Sequence, residues 1–182
     1  MSDVRLIEIK EDILSDNAGL AEELRRRLRE KKTFLLNLMS SPGSGKTSLI
    51  LRTIEKLRGE FSIGVLEADI DSMVDAEKVA ARGVQAVQLK TGGFCHLDAA
   101  MVRAGLDAFD LDRLDLVIIE NVGNLVCPAE FDTGSTRNAM ILSVPEGDDK
   151  PLKYPLMFSV CHALVVNKVD YLGLSDFSME LL

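Results

Sequence analysis

The stretch "NLMSSPGSGKTSLI", residues 37–50, passes from an apolar run through a glycine-containing loop into a new apolar-periodic run. Gly43, Gly45, Lys46 and Thr47 are the core of a phosphate-binding loop. Such a loop turns backbone N–H groups inward around phosphate oxygens, which needs the backbone conformations that glycine tolerates. Lys46 is expected to reach the β- and γ-phosphates and Thr47 to offer its hydroxyl to Mg²⁺. Ser44 and Ser48 belong to the same cradle, and the positive end of the following helix adds to it. The strict pattern G-x-x-x-x-G-K-S/T wants glycine at position 40, where the chain has Ser40.

Outward from this loop, short apolar runs alternate with helical stretches. "FLLNLM" (34–39), "IGVLEA" (63–68), "VQAVQL" (84–89), "LDLVIIE" (114–120), "AMILSV" (139–144) and "ALVVNK" (163–168) read as strands, most of them near-continuously apolar, as in sheets covered on both faces. Helices are expected over 46–58, 75–82, 97–109 and 152–159, and over 12–32, where Leu20, Leu24 and Leu28 share a face and Ser15, Asp16 or Asn17 can cap the start. Alternating β and α predicts an α/β, three-layer fold: a mostly parallel sheet, helices on both faces, ligands at the strands' C-terminal ends. We expect one domain over 1–182, with 1–32 as an N-terminal helical segment.

Bulk properties agree with this. Nearly half of the 182 residues are apolar and 27% are charged, and 21 basic minus 29 acidic residues gives −8. That balance argues against nonspecific nucleic-acid binding, which needs a basic footprint. The apolar runs are too short for a membrane span and the N-terminus lacks the apolar core of a signal peptide. Three cysteines without such a signal make no disulfide framework, so a cytoplasmic location is expected.

"VVNKVD" ends the last strand with Asn167, Lys168 and Asp170, the N-K-x-D pattern of guanine-binding G domains. The Asp170 carboxylate can accept from guanine N1–H and its 2-amino group, which adenine does not offer in that arrangement. Lys168 can cover the base with its stem, and Asn167 can fix the loop. Glu120 and Gly123 in "ENVG" stand where an Asp-x-x-Gly switch would, Glu120 for magnesium and Gly123 for the γ-phosphate. In "EADIDSMVDAE", Asp69, Asp71 and Asp75 cluster, and one of them could ligate magnesium or position the attacking water. Asp69 is the candidate for magnesium and Asp75 for the water, with Asp71 read as solvated and the choice of water-positioning aspartate within 69–75 left open. No glutamine follows the switch segment to position water, so slow turnover or completion by a partner subunit is expected.

Cys95 and His96 adjoin in "FCHL", and Cys127 follows the switch strand. Loops after parallel strands emerge at one sheet edge, so these three ligands can meet there, suited to Zn²⁺ or Ni²⁺, with a fourth ligand from a symmetry mate or water. Cys161, beside His162 at the start of the last strand, reads as a core thiol at the opposite end.

Taken in order, "SSPGSGKTSL", "LKTGGFCHLDA", "IENVGNLVCPAEFD", "PEGDDKPLKYP" and "NKVD" resemble the HypB family, nickel-insertion GTPases of nickel–iron hydrogenase maturation. The resemblance covers about residues 33–172. It implies a G domain of the SIMIBI class that dimerises on binding GTP, hydrolyses it to GDP, and holds Zn²⁺ or Ni²⁺ at the subunit interface through Cys95, His96 and Cys127. A lysine of the "GDDKPLKYP" block, Lys153 or alternatively Lys150, would reach the partner's nucleotide. A HypA-type metallochaperone and the hydrogenase large subunit are the implied partners, with no nucleic acid and no membrane. Some relatives carry an N-terminal CxxCGC or histidine-rich nickel store, but residues 1–30 contain no Cys or His. The chain also ends a dozen residues after Asp170, so the family's C-terminal elements are expected to be missing. The alternatives are a related urease-type assembly GTPase, a nucleotide- and metal-binding module with little hydrolysis, and an ATP-dependent kinase or ligase, against which Asp170 argues.

Overall fold

A computed structural model describes residues 5–8, 17–69 and 74–182. Its strands are β1 (Arg5–Glu8), β2 (Phe34–Ser40), β3 (Ile63–Asp69), β4 (Gln85–Lys90), β5 (Leu116–Glu120), β6 (Arg137–Ser143) and β7 (Ala163–Asn167). They form one sheet in the order β1-β4-β3-β5-β2-β6-β7, and every neighbouring pair is parallel. The helices are α1 (Asn17–Lys31), α2 (Lys46–Leu57), α3 (Val74–Ala80), α4 (Ala99–Leu106), α5 (Cys127–Glu130), α6 (Lys150–Lys153) and α7 (Pro155–Val160). None of the described helices is long and apolar enough to cross a membrane.

Successive residues of a buried strand point to opposite faces, and both faces here are covered. Leu66 and Ile119 join Leu24 and Leu28 of α1 and Val102 and Leu106 of α4 in one cluster. Their neighbours Val65 and Ile118 join Ile50 and Ile54 of α2 and Val79 of α3 in the other. A third cluster packs Met39, Met140 and Leu125 against Met157 of α7. Removing any of the fully buried leucines costs about 2–5 kcal/mol, because the cavity collapses only in part.

The six strands read from the sequence are present, with ends shifted by up to two residues. The segment 152–159 is two short helices, because Pro155 excludes the helical conformation at Tyr154, which sits at φ −128°, ψ 54°. The N-terminal segment 1–32 is corrected in part. Residues 5–8 are a strand on the outer edge of β4, with Leu6 opposite Gln88, where they supply ladder partners that β4 would otherwise lack. The helix expected from residue 12 is seen from Asn17, and 12–16, with the caps Ser15 and Asp16, lie outside the described residues. Asn17 Oδ1 accepts from the Ala99 N–H at 2.8 Å, fastening α1 to the start of α4. Asp98 caps α4 through the Met101 N–H at 2.8 Å.

Candidate functional site

The C-terminal ends of β2, β3 and β5 surround a cavity of about 600 Å³. The phosphate loop closes one side. Gly45, at φ +103°, precedes α2 and supplies no side-chain cap, so the first N–H groups of α2 remain available to an anion. The buried Lys46 ammonium donates to Ser40 Oγ at 3.2 Å, so the serine in place of glycine holds the lysine along the loop. Gly43, Gly45, Lys46, Thr47, Ser48, Asp69, Asp75, Glu120 and Gly123 all line this cavity. Gly123 lies so close to the loop that a Cβ there would stand 2.9 Å from both N and Cα of Pro42.

Opposite the loop stand three carboxylates. Glu67 and Glu120 are paired in register across β3 and β5, and Asp75 joins them from the first turn of α3. Their nearest oxygens lie within 4.8 Å of one another. Thr47 Oγ1 donates to Glu120 Oε1 at 2.9 Å, and Lys78 pairs with Asp75 at 2.7 Å. Glu67 and Glu120 are nearly fully buried, and Glu67 Oε1 and Glu120 Oε2 have no hydrogen-bond partner. Burial, then the Glu120 charge, pushes the Glu67 carboxyl well above the ordinary carboxylate range. Burial also raises Glu120, against the opposing pull of Glu67, Thr47 and Lys46. Two orphaned oxygens beside a threonine hydroxyl are a donor set that fits a hard divalent cation such as Mg²⁺. Asp69, assigned to magnesium from the sequence, lines the cavity but is not one of this trio. Asp71 lies outside the described residues. Glu67 was not singled out from the sequence; its signal was an acid inside an otherwise buried strand.

The N-K-x-D residues grip the phosphate loop from the far side. Asn167 Nδ2 donates to the Ser44 carbonyl at 2.8 Å and Lys168 Nζ to the Gly43 carbonyl at 2.8 Å. Lys168 takes the left-handed conformation, φ 55°, and Asp170 is exposed on the turn that follows. A second residue not foreseen, Glu146, holds the same loop. Its carboxylate accepts from the hydroxyls of Ser41, Ser44 and Ser143 and from the Ser143 N–H. Lys153 is ion-paired with Asp149, and the Lys150 ammonium sits 5.7 Å from the Tyr154 ring centroid. Neither lysine lines the phosphate cavity.

The soft ligands meet at the same sheet edge. Cys95 and His96 follow β4, Cys127 opens α5 after β5, and one donor atom from each lies within 4.8 Å of the others. All three cysteines of the chain are free thiols. His96 stacks on Phe131 with ring centroids 3.7 Å apart and planes 13° apart. Burial lowers its pKa, against the charges of Asp98 and Glu130, so the neutral, ligating imidazole is favoured. Contact with Cys95, then burial, raises the Cys127 thiol. Asn124 Oδ1 accepts from the N–H groups of Val126 and Cys127, and its Nδ2 lies 3.8 Å from Cys127 Sγ. Two thiols and an imidazole fit Zn²⁺ or Ni²⁺. Cys161 is half-buried against the third core cluster, and burial pushes its thiol up to about 11.

A parallel sheet, a phosphate loop between its β2 and α2, and carboxylates across from it define a P-loop nucleotide-binding protein. Residues 34–181 match the model of the CobW/HypB/UreG nucleotide-binding domain. The hydrogenase maturation factor HypB of Rhizobium leguminosarum bv. viciae is 47% identical over 178 residues, 98% of this chain and 60% of the relative. The crystal structure of HypB from Helicobacter pylori in complex with nickel superposes with a TM-score of 0.87 at 40% identity, covering 92% of this chain and 79% of that one. HypB from Archaeoglobus fulgidus gives 0.85 at 43% identity, covering 92% and 82%. The chain therefore belongs to the CobW/HypB/UreG family, and within it is similar to the HypB hydrogenase maturation factors. It spans about 60% of the length of the first relatives it matches.

Proposed function

We propose that this chain is the G domain of a HypB-type nickel metallochaperone, one that binds GTP with Mg²⁺, hydrolyses it to GDP and phosphate, and dimerises in the GTP state. One observation carries the reading. The phosphate cavity and the Cys95–His96–Cys127 cluster share one sheet edge and are joined by a single short segment, Glu120 to Cys127.

In this reading Lys46 and the first-turn N–H groups of α2 bind the phosphates, and Thr47 and Glu120 hold Mg²⁺, with Asp69 beside them. Mg²⁺ supplies charge neutralisation on the phosphates when bound. Asp75 positions water. Asn167 and Lys168 keep the loop in place while Asp170 selects guanine. Gly123 senses the γ-phosphate, and Cys127, four residues on, moves with it. Zn²⁺ or Ni²⁺ is the cargo at Cys95, His96 and Cys127, shared between two copies, and Lys153 or Lys150 turns from its present partner to the other copy's nucleotide. A HypA-type metallochaperone and the hydrogenase large subunit are the exchange partners, in the cytoplasm. The description of Helicobacter hepaticus HypB as a hydrogenase/urease maturation factor favours a second reading, delivery to urease by the same machinery.

Light scattering during size exclusion tests this, with and without a non-hydrolysable GTP analogue and Ni²⁺. A dimer with the analogue, carrying Ni²⁺ in the parent and lacking it in Cys127→Ala under the same conditions, is the expected result. A monomer under every condition refutes the dimeric site.

A further inference from the structure

We propose that Glu67, Asp75 and Glu120 form a divalent-cation site that fills from the protein side alone, before any nucleotide is bound. The inference deepens the Mg²⁺ assignment above and rests on that reading of the cavity.

Three observations carry it. The register of β3 and β5 sets Glu67 directly beside Glu120, and the two are 3% and 6% exposed. Buried carboxyl oxygens need partners. Yet Glu67 Oε1 and Glu120 Oε2 have none. The neighbouring ammonium groups do not fill the gap: Lys46 donates to Ser40 and Lys78 to Asp75. Finally, Asp75 brings a third carboxylate within 4.8 Å, and the Thr47 hydroxyl adjoins Glu120 in the same cavity.

A typical phosphate-loop Mg²⁺ is held by one or two carboxylates plus phosphate oxygens and waters, and so arrives with its nucleotide. Three carboxylates and a hydroxyl are already four hard oxygen donors. Such a set suits Mg²⁺ or Mn²⁺ rather than the softer ions that Cys95 and Cys127 favour. Glu67 is the residue that makes the difference, because Thr47 and Glu120 alone would leave the ion dependent on phosphate. The cation would give the two orphaned oxygens the partner they lack and leave its remaining positions for water or incoming phosphate.

The test is a Mn²⁺ titration of the nucleotide-free chain, followed by the loss of the free-ion electron paramagnetic resonance signal, with Mg²⁺ as competitor. About one Mn²⁺ per chain, displaced by Mg²⁺, is expected. Glu67→Gln keeps the side chain's size and replaces one carboxylate donor by an amide. It should weaken Mn²⁺ binding by at least about tenfold, the loss usual for disturbing even the groups that merely orient metal ligands. Asp75→Asn, at the cavity rim, is the second variant should Glu67→Gln fold poorly, and should weaken binding as well. The remote Asp112→Asn should bind as the parent does. GTP titrations on the same samples separate the two ideas. GTP binding without nucleotide-free Mn²⁺ binding overturns the inference and leaves the nucleotide reading standing, whereas Mn²⁺ binding without GTP binding does the reverse. Equal Mn²⁺ affinity in Glu67→Gln and the parent also overturns it.

Discussion

Replacing Gly123 by alanine tests how tightly the switch segment and the phosphate loop are seated on each other. The added Cβ would lie 2.9 Å from Pro42 N, 2.9 Å from Pro42 Cα and 3.0 Å from Pro42 Cγ. Ordinary contact begins near 3.4 Å, so one backbone segment must retreat by about half an ångström. Neither can do so freely, since Pro42 has a fixed φ and the next residues are tied by Asn167 and Lys168. Overpacking of this kind costs roughly 1–3 kcal/mol. If the whole cost falls on the nucleotide-bound arrangement, Mg-GTP affinity drops by about fivefold to 150-fold. If part of it falls on the free protein, thermal unfolding shifts down by the remainder. Calorimetric titration with Mg-GTP, paired with a melting curve of the nucleotide-free protein, reads both parts. Gly59→Ala, where nothing lies within 4 Å, is the control and should leave both unchanged. Parental affinity and parental melting temperature in Gly123→Ala would refute the close seating of the two segments.

Asp170→Asn puts an amide where two donors of guanine are expected, so GTP affinity should fall by at least about tenfold while XTP, whose 2-position is a carbonyl, binds better than GTP; unchanged GTP preference would move base selection elsewhere. Iodoacetamide at pH 8 should alkylate Cys161 last, because a thiol pushed up to about 11 is only about 0.1% thiolate there, and Zn²⁺ should protect Cys95 and Cys127 alone, as read by peptide mass spectrometry. For Glu146, burial works to raise the pKa but is outweighed by the Ser143, Ser41 and Ser44 hydrogen bonds, so the folded carboxyl titrates below its unfolded value. Its stabilisation is therefore present above the ordinary glutamate value near 4.3 and lost as pH falls through the folded value. The melting-temperature advantage of the parent over Glu146→Gln, worth at most about 1 kcal/mol for this half-buried group, should shrink below about pH 4.5. An advantage that grows with acid would contradict the hydrogen-bond assignment.

Much of this was legible along the chain. The strands 34–39, 63–68, 84–89, 114–120, 139–144 and 163–168 announced themselves as apolar runs buried on both faces, and the structure places a strand in each. That Cys95, His96 and Cys127 could meet was legible from topology, since in a parallel sheet the loops after β4 and β5 share an edge, but with β3 between those strands the approach of their donor atoms to within 4.8 Å belongs to the fold. β1 was not legible. Four residues carry no decisive period, and their partner β4 lies some eighty residues away in sequence, so pairing rather than propensity makes the strand.

What the sequence determined by itself is local and chemical: a glycine loop between a strand and a helix, an N-K-x-D run at a strand end, soft ligands after two strands. Those properties reside in residue types and short spacings, which survive without knowledge of the fold. What only the tertiary structure decided is which acids face one another and what holds the loop. Glu67 meets Glu120 because two strands, distant in sequence, align in one register, and a shift by one residue would turn Glu67 to the other face. Glu146 reaches Ser41 and Ser44 across more than a hundred residues. Register and long-range contact are settled by packing of the whole core, so no window of sequence contains them.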